Sequence, residues 1–190
     1  MNLANKKPAL LLIDIQKGFQ NEAYWGGNRN NKDAEKKCAF LLDKWRSLNF
    51  PVYHIMHGSQ NPDSPLHPTK PGFALQDVVK PIEQEPVIVK DVNSAFIGTN
   101  LEKHLKDRGV STLVIVGLTT NHCISTTTRM AGNLGFETIL IADATATFDR
   151  KGITGEVFDA ELIHQTTLAS LNEEFAEVMK MEDLLQLLNS

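Results

Sequence analysis

The chain has 190 residues, enough for one domain with a full hydrophobic core, and an apolar content ordinary for a globular protein. Its 19 basic and 23 acidic residues leave a formal net charge of -4, so there is no electrostatic case for binding nucleic acid or an anionic membrane. No apolar run approaches the ~18–20 residues of a membrane span, and the two cysteines, Cys38 and Cys123, have neither metal-ligand spacing nor the numbers of a secreted disulfide framework, so a reducing cytoplasm is expected.

In MNLANKKPALLLIDIQ, Asp14 interrupts the apolar run after a few residues and no small-residue cleavage site follows. That reads as a first strand, Ala9 to Ile13, rather than a secretion signal. Asp14 stands at its carboxyl end. The next stretch, QKGFQNEAYWGGNRNN, is rich in Gly and Asn and reads as a loop whose Phe19, Tyr24 and Trp25 can wall a pocket. From Asp33, the residues Ala34, Cys38, Leu41, Leu42, Trp45 and Leu48 recur at helical spacing, an amphipathic helix with Cys38 as core filler. A second strand follows over Val52 to His57. Gly58 to Pro86 is a long proline-bearing loop with a short helix predicted over Phe73 to Lys80. Pro86 to Lys90 reads as strand three, with Lys90 at its end. SAFIGTNLEKHLKDRG reads as a loop and then a helix, with Thr99 or Asn100 to cap its start and Gly109 to close it.

Leu113 to Val116 is a run of four branched apolar residues broken at Gly117, the signature of a strand buried on both faces. Small polar residues lead to Cys123, after which the spacing becomes helical. The run ISTTTRMAG is rich in threonine, a poor helix former, so a helix there needs tertiary support. Strand five is expected over Phe136 to Ala142, ending at Asp143 as a loop cap. A helix follows from about Glu156 to Asn172, with His164 read as packing or surface. Phe175 to Met179 is strand six and Glu182 to Leu188 a last short helix. This alternation predicts a single α/β domain, 1–190, with a mostly parallel sheet and helices on both faces. No glycine pattern resembles a dinucleotide or phosphate loop, and no cofactor is expected.

Cys123 thus falls at a strand-to-helix turn, where unpaired N–H groups favour a thiolate and can hold an oxyanion; a lowered thiol pKa is expected. Asp14 and Lys90 fall at the carboxyl ends of other strands, the edge where open α/β sheets bind ligands. If the strands are neighbours, the thiol is a nucleophile, the carboxylate its proton acceptor, and the ammonium the group that holds their ionisation.

The segments LLLIDIQKGF and VIVKDVNSAFIGTNLEKHLKDRGVSTLVIVGLTTNHCISTTTRMAGNLGFETILIADATATF closely resemble the isochorismatase-like cysteine hydrolases, which include nicotinamidases and N-carbamoylsarcosine amidohydrolases. The resemblance implies a catalytic triad of Asp14, Lys90 and Cys123. It also implies a cis peptide between Leu118 and Thr119, and an oxyanion hole from the N–H groups of Thr119 and Cys123. It further implies a three-layer, Rossmann-like, six-stranded sheet in the order 3-2-1-4-5-6, and homodimers or homotetramers. Phe19, His57, Ser59, Asn121 and His122 are the expected substrate contacts. His54 and His57, three apart on a strand, point to opposite faces and cannot share an ion. The metal-binding nicotinamidases carry an Asp-x-His spacing that is missing around His57, Asp63 and His67, so no metal is expected.

The expected activity is cleavage of a small amide, ureide or carbamoyl C–N bond through a thioester. The rivals are isochorismatase-type vinyl ether hydrolysis, whose enzymes lack the cysteine, and a non-catalytic binding or assembly member of the fold.

Overall fold

The computed structural model describes residues 3–189; both limits of the predicted domain lie outside them. Six strands form one sheet: β1 (Ala9–Ile13), β2 (Val52–His57), β3 (Val87–Lys90), β4 (Thr112–Leu118), β5 (Glu137–Ala146) and β6 (Glu177–Met179). Every neighbouring pair is parallel, and the order is 3-2-1-4-5-6. The central β1 and β4 are buried along their whole length, as strands covered on both faces must be.

Side-chain alternation splits the core in two. Leu10, Leu12, Val114 and Val116 pack with helix α1 (Ala34–Ser47), through Cys38, Leu41, Leu42 and Trp45, and with α5 (Met181–Asn189), through Leu184 and Leu188. Leu11, Ile13 and Ile115 face the other way. They meet α2 (Leu101–Asp107), α3 (Ser125–Asn133) and α4 (Ala160–Leu171) through Leu101, Leu105, Ala131, Leu168 and Leu171. Trp45 anchors α1 by donating its indole N–H to the Pro8 carbonyl at 2.7 Å. Among the described residues, no helix is long and apolar enough to cross a membrane.

Several predicted elements differ in extent. The loop after β1 contains a helical turn at Glu22–Trp25. The helix expected over Phe73 to Lys80 is instead two 3-10 turns, Pro71–Phe73 and Asp77–Val79. Strand five runs on past Asp143 to Ala146, with an irregular register opposite Ile115 and Gly117. Asp143 therefore lies inside the strand and is no loop cap. It accepts hydrogen bonds from Lys37 Nζ and the Met181 N–H, tying β5 to α1 and α5. The helix expected from Glu156 starts only at Ala160. Residues before it form a hairpin, Arg150–Lys151 against Val157–Phe158, and Asp159 caps the helix by accepting from the Glu161 N–H at 2.8 Å.

Candidate active site

Parallel strands bring their carboxyl ends to one edge, and there Asp14, His57, Lys90 and Cys123 meet. Asp14 follows β1, His57 and Lys90 end β2 and β3 as register partners, and Cys123 follows β4. Two backbone features make the approach close. Asp14 adopts a positive φ of 54°, a region non-glycine residues seldom enter. Gly117 has φ 121°, and a Cβ there would lie 2.0 Å from the Ile13 carbonyl oxygen, so only glycine fits where β4 passes β1. The Leu118–Thr119 peptide is cis, and a π-helical turn over Thr120–Ile124 carries Cys123 before α3 begins. The threonine-rich α3 is held from outside: Thr127 and Thr128 are buried, and Thr127 Oγ1 accepts from the Ala95 N–H at 3.0 Å.

Lys90 is the hub. Its Nζ donates to Asp14 Oδ2 at 2.8 Å, His57 Nδ1 at 3.1 Å and Cys123 Sγ at 3.2 Å. An ammonium has three N–H donors, so all are engaged. Burial works against its charge, but the Asp14 carboxylate and the Cys123 sulfur outweigh that and raise its pKa. Asp14 is fully buried, and its second oxygen, Oδ1, has no hydrogen-bond partner among the described residues. A buried acceptor without a donor is costly, so its persistence points to use.

The lowered pKa expected for the Cys123 thiol is not what its surroundings produce. The residue is 7% exposed. Burial, and after it the Asp14 carboxylate, push the thiol well up; Lys90 pulls the other way without prevailing. The turn position favours a thiolate, but shielding from water wins, and the resting sulfur keeps its proton.

Above the sulfur lies a cavity of about 280 Å³ lined by Phe19, Trp25, His57, Leu66, Asn93, Thr119, His122 and Cys123. Phe19 and Trp25 stack with centroids 4.6 Å apart. Burial lowers the pKa of both His57 and His122, with Lys90 and Arg150 respectively adding to it, so both rings are neutral near pH 7. Larger surface hollows, such as one of about 690 Å³ beside Ala142 and Lys180, hold no thiol.

Of the expected substrate contacts, Phe19, His57 and His122 line this cavity, as does Thr119 of the expected oxyanion hole, whereas Ser59 and Asn121 do not. Ser59 Oγ accepts from the Asn61 N–H, shaping the loop after β2. Asn121 Oδ1 accepts from Thr147 Oγ1 at 2.5 Å, bracing the turn from behind. Asp63 and His67 do not join His57. Among the described residues, the group with ligand atoms within 4.8 Å of one another is Asp14, His57 and Cys123. Asn93 and Leu66 are lining residues that sequence reasoning missed. Asn93 Oδ1 accepts from the thiol at 3.6 Å, and only its place three residues after Lys90 hints at this. His164 is buried, sharing a 2.9 Å hydrogen bond with Thr120 Oγ1, so it supports the turn rather than lying on the surface.

Known proteins resemble this chain along nearly its whole length. The Isochorismatase domain family model matches residues 8–183. The isochorismatase family protein YrdC of Bacillus subtilis (strain 168) is 47% identical over 180 residues, covering 95% of each chain. Nicotinamidase 3 of Arabidopsis thaliana is 28% identical, over 95% of this chain and 88% of its own. A solved isochorismatase-family structure from Chromobacterium violaceum ATCC 12472 superposes with TM-score 0.93 at 41% identity, over 100% of this chain and 97% of the other. On all these grounds the chain belongs to the isochorismatase family.

Proposed function

We propose that the chain is a hydrolase of small, uncharged amide-type C–N bonds, acting through a thioester on Cys123. The observation that carries this is the free Oδ1 of Asp14. It is buried and unpartnered among the described residues, on a carboxylate whose other oxygen Lys90 occupies and which has an oxygen within 4.8 Å of the Cys123 sulfur. As a carbonyl carbon approaches, Asp14 takes the thiol proton and the sulfur attacks. The N–H groups of Thr119 and Cys123 stabilise the tetrahedral oxyanion; losing one such donor typically costs about 10²–10³-fold in rate. Asp14 returns the proton to the leaving nitrogen, the C–N bond breaks, and the thioester forms. A water, deprotonated by Asp14, then releases the acid and the thiol. Lys90 has no spare donor for substrate, so it acts by holding the Asp14 and Cys123 side chains aligned.

The cavity narrows the substrate class. At about 280 Å³ it sits at the low end of the ~300–1,000 Å³ of ligand sites. Its lining carries no carboxylate, guanidinium or ammonium, and its stacked Phe19 and Trp25 suit a flat acyl group. A relative named a nicotinamidase acts in the same chemical class, which supports the reading.

The test is ammonia release from a panel of small aromatic and aliphatic primary amides and ureides. The Cys123→Ala variant should fall by about 10⁴-fold or more with its circular dichroism unchanged. Full activity in that variant, or an inert wild type across the panel, would end the proposal.

A further inference from the structure

Lys90 Nζ is held by one carboxylate, one imidazole and one sulfur, at 2.8, 3.1 and 3.2 Å. Those three side chains are also the group of potential metal ligands that the described residues bring within 4.8 Å. A carboxylate, an imidazole and a thiolate are each zinc ligands, and together they suit a borderline-soft ion over magnesium or calcium. We propose that Asp14, His57 and Cys123 form a binding site for one thiophilic divalent cation of the zinc class, and that the Lys90 ammonium occupies this site and keeps such ions to weak binding.

Three observations support a built site beyond the proximity. Asp14 is fully buried and its Oδ1 has no hydrogen-bond partner among the described residues, so the carboxylate keeps an uncommitted ligating oxygen. His57 turns its Nδ1 to the centre, and burial and the Lys90 charge keep that ring neutral, the form in which an imidazole ligates a metal. The cavity opens on the sulfur, which leaves a route in and a fourth position for water. Metal bonds of ~2.0–2.3 Å would require each contact to the centre to shorten by about 1 Å or less.

Occupation has a defined chemistry. The Cys123 S–H bond breaks, an S–Zn bond forms, and the proton leaves to solvent. The ammonium cannot remain about 3 Å from a divalent ion in a shielded site, so it must be driven out. Lys90 thereby protects the thiol from capture by trace metal. This inference concerns metal affinity and does not rest on the hydrolytic reading.

Lys90→Met keeps the chain length and removes the charge. Titrated with zinc by calorimetry, it should bind one equivalent about 100-fold or more tighter than the wild type. With cobalt it should show a thiolate-to-metal charge-transfer band. Adding His57→Ala should weaken binding about tenfold or more. Lys90→Met binding zinc no better than wild type, or binding indifferent to His57→Ala, overturns the proposal. Should Lys90→Met not fold, the unmutated protein still decides. Millimolar zinc should protect Cys123 from iodoacetamide, at a half-protecting concentration that rises about tenfold or more in His57→Ala. Absent protection, or equal protection in both proteins, overturns it.

Discussion

At the scale of single residues, one sulfur is subject to two opposed charges. Burial and Asp14 raise its pKa while Lys90 lowers it, and the first two prevail. Iodoacetamide modification of Cys123, followed by mass spectrometry against pH, should therefore show an inflection above the ~8.5 of an ordinary thiol. Asp14→Asn should move that inflection down, because the carboxylate is a raising influence, and Lys90→Met should move it up. An inflection near 6 in the wild type would contradict the account. Sequence position alone pointed to the opposite shift. The helix-terminus effect is legible in a motif, but the degree of burial is not, since the core around Cys123 is supplied by distant residues such as Ile13, Leu101 and Leu168.

At the scale of elements, much was legible because β1 and β4 carry continuous apolar runs and α1 a clean helical stripe. What escaped has identifiable causes. The hairpin at residues 150–158 pairs exposed side chains, such as Val157 and Lys151, that give no buried periodicity to read. Asn93 and Leu66 lie in loops, where no repeat announces which way a side chain points. Gly117 was read as a strand breaker, yet it lies within β4 because the neighbouring β1 backbone leaves no room for a Cβ. Gly117→Ala should therefore cost about 3 kcal/mol or more in urea unfolding, or prevent accumulation of folded protein. Gly109→Ala, at φ 66° with open space around it, should cost only about 1 kcal/mol. Equal costs at the two sites would show that the close approach is not what matters.

At the scale of the whole molecule, one carboxylate ties three parts of the chain together. Glu85 accepts from Arg46 of α1 through both oxygens, from the Ile82 N–H, and shares a 2.9 Å hydrogen bond with His54 of β2. Burial alone would raise its pKa, but these donors hold it down at about 2. A depressed carboxylate stabilises the fold above its ordinary pKa and loses that contribution as pH falls through the folded value. Glu85→Gln should thus lower stability at pH 7 by about 1–2 kcal/mol, after allowance for solvent screening. The gap to wild type should shrink between pH 5 and pH 2, read from denaturant midpoints; a gap constant with pH would show that charge is not the cause. A different consequence follows from where Lys90 sits. It ends the four-residue outermost strand, which has a hydrogen-bonded neighbour on one side only and leaves Val87 and Val89 half in water. Fraying of that margin would withdraw the positive charge while the interior stayed intact, so mild urea should silence the enzyme before it melts, in step with hydrogen exchange at Ile88 and Val89.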